Sequence, residues 1–61
     1  MANAIISNRL FVVKREIRRL KKLIANMKEE GASDSDIKFY YDRLKEYRIE
    51  RESLKRWNSL F

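Results

Sequence analysis

The stretch Gly31-Ala32-Ser33-Asp34-Ser35-Asp36 lies at the middle of the 61-residue chain and holds its only glycine. Glycine is common just past the end of a helix, because it adopts the left-handed backbone conformation without steric cost. The serine and aspartate side chains that follow it can accept hydrogen bonds from the free N–H groups that open a helix. The stretch therefore predicts that one helix ends here and that another begins at once.

The sequence before this turn has the pattern of a helix over about residues 3–30. Its apolar residues are spaced alternately by four and three positions, which is a heptad repeat with apolar residues at positions a and d. Asn3 is the expected N-cap of this helix. The predicted seam of the first helix consists of Ile6, Leu10, Val13, Ile17, Leu20, Ile24 and Met27.

The sequence after the turn repeats this spacing over about residues 34–59. Ser33 followed by Asp36 resembles a capping box with the shorter acidic residue. The seam of this helix is mainly aliphatic and aromatic, with one arginine and one asparagine in it. Its predicted members are Ile37, Tyr40, Leu44, Tyr47, Arg51, Leu54, Asn58 and Phe61.

The two seams agree in register when the chain folds back at Gly31–Ser33. Residues whose numbers total 64 then face each other, and every such pair places an a position against a d position, as antiparallel packing requires. The predicted pairs are Met27 with Ile37, Ile24 with Tyr40, Leu20 with Leu44, Ile17 with Tyr47, Val13 with Arg51, and Leu10 with Leu54. We therefore predict an all-α fold, an antiparallel two-helix hairpin that makes residues 1–61 a single domain.

The small size of this hairpin predicts self-association. Each helix buries one stripe only, which is usually too little apolar area to offset the conformational entropy of a chain this short. The chain has no cysteine and no histidine, so neither a disulfide nor a structural zinc site is expected, and we predict no cofactor. We expect a homodimer of hairpins that forms a four-helix bundle.

The two sides of the predicted seam differ in chemistry. In an antiparallel pair the e positions of both helices lie on one side of the seam, and the g positions lie on the other. The side formed by e and b positions, here called the basic flank, carries eight of the 15 basic residues and the aromatic ring of Tyr41. Its basic members are Lys14, Arg18, Lys21, Lys28, Lys38, Lys45, Arg48 and Lys55.

The side formed by g and c positions, here called the apolar flank, combines large apolar residues with charges of both signs. Such a mixture is what an interface between two identical subunits needs. We predict that this flank forms the dimer interface, with Trp57 as a principal anchor. The interface residues are Ile5, Val12, Leu23, Phe39, Trp57 and Leu60.

Arg51 is the unusual member of the seam, because an unpaired buried guanidinium is costly. Glu16 and Glu50 are its candidate partners in the predicted hairpin. One interpretation is that its stem packs on the core and its charged head reaches solvent. The other is that Arg51 is a polar device that fixes the register or the choice of partner.

The net charge of +6 favours a polyanionic partner. Our leading hypothesis is a small accessory or regulatory protein that binds nucleic acid phosphates without base specificity, with Tyr41 stacking on a base or sugar. Its predicted phosphate contacts are Lys14, Arg18, Lys21, Lys45, Arg48 and Lys55. The alternative is a protein-binding inhibitor or adaptor, of the kind that mobile genetic elements encode, which docks an acidic or apolar surface. A third interpretation is that the basic flank is merely solvated and binds no partner.

Other functions have little support in the sequence. The chain lacks histidine, cysteine and any glycine-rich phosphate loop, so we predict no enzymatic activity and no small-molecule substrate. Neither a membrane-spanning stretch nor a secretory signal is expected, and we predict a cytoplasmic location. Peripheral membrane binding is disfavoured, because the apolar stripe of the first helix is already covered by the second.

Overall fold

The computed structural model describes residues 4–60 and shows the predicted hairpin. Helix α1 runs over Ala4–Glu29 and helix α2 over Asp34–Leu60, and this part of the chain has no strand. The predicted all-α antiparallel hairpin is confirmed, and its helix bounds agree with the sequence to within one residue. The N-cap predicted at Asn3 and the last seam residue, Phe61, lie outside the described residues.

The turn ends α1 through a Schellman motif, in which a left-handed residue lets two N–H groups reach back to the last turn of the helix. Gly31 has a φ of 76°. The N–H of Ala32 donates to the carbonyl oxygen of Met27 at 2.9 Å, and the N–H of Gly31 donates to that of Lys28 at 3.2 Å. The single glycine therefore sets the point at which the chain reverses.

Helix α2 begins with a side-chain cap. The backbone N–H of Asp36 donates to Ser33 Oγ at 3.3 Å, and the N–H of Ile37 donates to the carbonyl oxygen of Ser33 at 3.0 Å. The acidic side chains of Asp34 and Asp36 lie in the first turn, where the partial positive charge of the helix favours them. The predicted start of the second helix is thus confirmed.

The core lies along the predicted seam. Val13, Ile17, Ile24 and Leu44 are buried, and every other seam residue between positions 4 and 60 is at least half-buried. The half-buried residues that pack against this core are Leu20, Ile37, Tyr40, Tyr47 and Leu54. Four buried side chains make a small core for a body that measures 47 × 14 × 12 Å.

Two polar contacts between the helices agree with the predicted register. Arg9 bonds to Glu50 through two g positions, and Lys28 bonds to Tyr41 through two e positions. The residue numbers of the first pair add up to five less than 64, and those of the second pair add up to five more. The two contacts therefore deviate from the predicted alignment equally and in opposite directions.

Within residues 4–60, neither helix combines the length and the apolar character that a membrane crossing needs.

Candidate functional site

An open groove of about 420 Å³ lies on the basic flank. Helix α1 supplies most of it through side chains spaced by three and four positions, which places them on one face of the helix. Helix α2 contributes two cations from across the seam. The lining residues are Phe11, Lys14, Ile17, Arg18, Lys21, Arg51 and Lys55. Five positive side chains therefore surround one groove, which has no acidic side chain in its lining.

Four of the predicted phosphate-binding residues meet at this groove. Lys14, Arg18, Lys21 and Lys55 are exposed, and none of them forms an ion pair or a side-chain hydrogen bond within residues 4–60. Like charges that lie close together repel each other, and a bound anion relieves that repulsion. An anion placed in the groove would therefore be attracted by several cations at once.

Arg51 is the fifth cation, and neither of its two candidate partners, Glu16 and Glu50, pairs with it. Its side chain is 29% exposed and its Nε atom lies 3.6 Å from Glu52 Oε1, which is too long for a hydrogen bond. That Nε is buried without a hydrogen-bond partner among the described residues. The stem lies in the seam and the side chain lines the groove, which agrees with the interpretation of a packed stem and an outward head.

The two carboxylates predicted for Arg51 instead pair with arginines on other positions. Glu50 accepts two hydrogen bonds from Arg9, and Glu16 lies 3.4 Å from Arg19 Nη1. Because both carboxylates project from g positions, they lie on the apolar flank, whereas Arg51 turns to the basic flank. The heptad position of each carboxylate predicts the flank on which it lies, but it does not identify the arginine with which it pairs.

The other predicted contacts lie on the same flank but outside the groove. Lys45 and Arg48 are exposed and do not line it. Tyr41 lies closer to the turn, where its hydroxyl accepts a hydrogen bond from Lys28 Nζ at 2.7 Å. That nitrogen is 5.1 Å from the ring centroid but only 2.7 Å from the hydroxyl oxygen. These two distances together place it beyond the hydroxyl edge of the ring and not over its face.

The groove also contains an aromatic residue that is not among the predicted phosphate-binding residues. Phe11 occupies a b position, three residues before Lys14, and it is 63% exposed. Its heptad position already placed it on the basic flank. Phe11, and not Tyr41, is thus the aromatic residue that lines the groove.

The apolar flank has the opposite character. Its exposed residues lie towards the two ends of the hairpin, with Ile5, Trp57 and Leu60 at the open end and Leu23 and Phe39 nearer the turn. Val12, the remaining predicted interface residue, is half-buried. A smaller hollow of about 280 Å³ lies on this flank between the two ends, lined by Glu16, Arg19, Leu20 and Leu23.

Arg9, Arg19, Glu16 and Glu50 on the apolar flank form ion pairs within the chain. Arg9 donates to both carboxylate oxygens of Glu50, at 2.6 Å from Nε and 2.9 Å from Nη2. These hydrogen bonds lower the pKa of the Glu50 carboxyl and raise that of the Arg9 guanidinium. A surface with such paired charges carries less net field than the basic flank.

The described part of the chain, residues 4–60, places no group of three or more Asp or Glu side chains where they could hold a metal ion. Comparison with known proteins gives no match to a family model, to a curated protein or to a solved structure.

Proposed function

We propose that this protein binds nucleic acid phosphates through its basic flank, in a regulatory or accessory role without catalysis. The observation that carries the proposal is the groove lined by five cations and no acid. Lysine and arginine side chains bind phosphates by charge, and such contacts position a nucleic acid without reading its sequence. Binding should therefore be electrostatic and independent of base sequence.

The spacing of the cations suits a phosphate backbone. Lys14 and Lys21 lie about 10 Å apart along α1 at 1.5 Å per residue. Phosphates on one strand recur about every 3.4 Å along the axis of a duplex, so this part of the groove spans about three of them. Lys45 and Arg48 extend the positive surface of α2 towards the turn, and they would contact further phosphates.

We further propose that the functional unit is a homodimer joined through the apolar flank. The core of one hairpin contains four buried side chains, while five large apolar residues of this flank stay at least 40% exposed. The flank carries charges of both signs, so a second copy is electrostatically complementary to it. Packing the flanks together directs both basic flanks outwards, where each groove stays open.

The test of phosphate binding is a titration of the purified chain with labelled single-stranded DNA, duplex DNA and duplex RNA across a range of salt concentrations. The proposal predicts that the logarithm of the binding constant falls linearly with that of the salt concentration. Three to five phosphate contacts give a slope of about −2 to −4 for a single strand. Absence of binding to all three probes at low salt would overturn the proposal, and a flat salt response would contradict its electrostatic basis.

The exposed apolar residues also favour a second candidate function, a protein-binding inhibitor or adaptor. Sedimentation of the purified chain distinguishes a homodimer interface on this flank from a binding site for another protein. A dimer at micromolar concentration supports the homodimer proposal. A chain that stays monomeric, and that forms a stoichiometric nuclease-resistant complex with one purified acidic protein, would support the second function instead.

A further inference from the structure

Phe11 stands at the edge of the cation groove with its ring largely exposed. It makes no aromatic ring contact within residues 4–60, and neither the seam nor the apolar flank uses it. The buried side chain of Ile17 is the only other apolar member of the groove lining. The groove thus offers one accessible aromatic surface beside several positive charges.

We propose that this groove binds single-stranded nucleic acid, with an unpaired base stacked on Phe11 and the neighbouring phosphates held by Lys14 and Arg18. The inference rests on the proposed function and narrows its ligand to single strands. Aromatic rings stack on bases of any sequence, because every base has a π-face. In a duplex those faces are covered by neighbouring base pairs, so the ring reaches them only in a single strand.

The size and lining of the groove match this ligand. Its volume of about 420 Å³ is within the range of small-molecule pockets, about 300–1,000 Å³, so a nucleobase fits into it. An acyl chain would need a longer apolar lining than Phe11 and Ile17 provide. Lys14 and Arg18 lie three and seven positions after Phe11 on the same face of α1, so cations adjoin the ring as the short distance between a base and its own phosphates requires.

Tyr41 is less suited to this role than Phe11. Its hydroxyl is held by Lys28, and it lies outside the groove, nearer to the turn. In the predicted register Tyr41 is opposite residue 23, about 18 Å along the axis from Phe11 at 1.5 Å per residue. The ring that meets the clustered cations is therefore that of Phe11.

The experiment compares three labelled probes of about 12 nucleotides, which is within the span of known single-strand sites. One probe is oligothymidylate, one is a strand of abasic residues with the same phosphates, and one is a duplex. Each is titrated against the wild-type chain, Phe11→Leu and Phe11→Trp at low salt. Phe11→Leu keeps the apolar character and all charges, and thermal unfolding by circular dichroism checks that each variant is folded.

We expect Phe11→Leu to weaken binding of oligothymidylate about fivefold or more, which is the lower end of the range for one base–aromatic stack. Binding of the abasic strand and of the duplex should change less than about twofold, because neither offers a free base face. Phe11→Trp should bind oligothymidylate at least as tightly as the wild-type chain. The salt slope should be the same for all three proteins, because their charges are the same.

Two other outcomes would overturn the inference in different ways. If all three probes bind and Phe11→Leu affects none of them, or affects all equally, stacking on Phe11 is excluded while phosphate binding stands. If no probe binds the wild-type chain at low salt, the proposed function fails together with this inference.

Discussion

The basic and apolar flanks are built on the same two helices and border the same seam, yet they differ in how far their charges are paired within the chain. On the basic flank, Lys14, Arg18 and Lys21 gather around a groove without an acidic partner among residues 4–60. On the apolar flank, Arg9 and Glu50 neutralise each other between exposed apolar residues. A surface that leaves most of its charges unpaired suits a charged partner, whereas one that pairs some of its opposite charges can pack against a copy of itself.

The largest expected effect concerns the apolar flank. We expect Trp57→Ala to weaken self-association by about 30-fold or more, because a large aromatic anchor typically contributes about 2 kcal/mol or more to an interface. Ile49→Ala is the matched control, since Ile49 is similarly exposed but lies on the outer face of α2. Sedimentation equilibrium measures both. Equal effects of the two variants, or none from Trp57→Ala, would exclude this flank as the interface.

The turn provides a change that destabilises the hairpin without altering either flank. Gly31→Ala should lower the free energy of unfolding by about 1–2 kcal/mol, because an alanine with a φ of 76° is strained although nothing lies within 4 Å of its added Cβ. Chemical denaturation measures this loss. Oligonucleotide affinity under folding conditions should be unchanged, and a large loss of affinity would link binding to turn geometry instead of the flank.

Arg51 connects the seam to the basic flank. Arg51→Leu should raise the free energy of unfolding by about 1 kcal/mol, because it removes a buried Nε that has no hydrogen-bond partner among the described residues. The same change should weaken oligonucleotide binding, since it removes one groove cation. Arg48→Leu, on the exposed surface of the same flank, should bring no gain in stability.

A loss of stability in Arg51→Leu would support the second interpretation of Arg51, a polar device in the seam. Lower stability together with a changed oligomeric state would make Arg51 a device that fixes register or partner. Denaturation and light scattering on the same sample distinguish the two interpretations.

The smallest expected effect is a pH dependence on the apolar flank. The pKa of Glu50 is lowered by Arg9, so their interaction stabilises the fold above the ordinary carboxyl range and is lost as pH falls through the lowered pKa. Glu50→Gln should therefore have a slightly lower melting temperature than the wild-type chain at about pH 7, and the two melting temperatures should converge as pH falls below the ordinary carboxyl range. Glu46→Gln, which removes an exposed carboxylate without an ion pair among residues 4–60, should show no such convergence.

The sequence was sufficient to predict the hairpin because the signals for it are local and strong. Heptad spacing determines which side chains of α1 and α2 are buried, and Gly31 and Ser33 determine where the chain reverses. The same spacing correctly separated the two flanks, since a heptad position fixes the side of the seam on which a residue projects.

The individual polar contacts were not predictable in the same way. Long side chains have several rotatable bonds and reach well beyond the residue they face, as Arg9 does when it bonds to Glu50. Heptad positions therefore did not reveal that Lys28 would hold the Tyr41 hydroxyl, or that Arg51 would turn to the groove. The groove itself depends on these side-chain directions, so the b position of Phe11 placed it on the basic flank but did not show that it lines the groove.

The most direct test of the central claim, that anion binding belongs to the basic flank and does not follow net charge, uses two matched pairs of substitutions. One variant carries Lys21→Gln and Lys55→Gln in the groove, and the other carries Lys22→Gln and Arg56→Gln at the adjacent positions on the outer faces. Both variants lose two positive charges. Fluorescence anisotropy with labelled oligothymidylate, measured from low to moderate salt, gives the affinity and the salt slope of each.

We expect the groove variant to lose about tenfold or more in affinity and its salt slope to become shallower by about 1.4, since two phosphate contacts are removed. The outer-face variant should keep nearly the wild-type slope. Equal losses of affinity and slope in the two variants would show that binding depends on total charge and not on the flank that carries it.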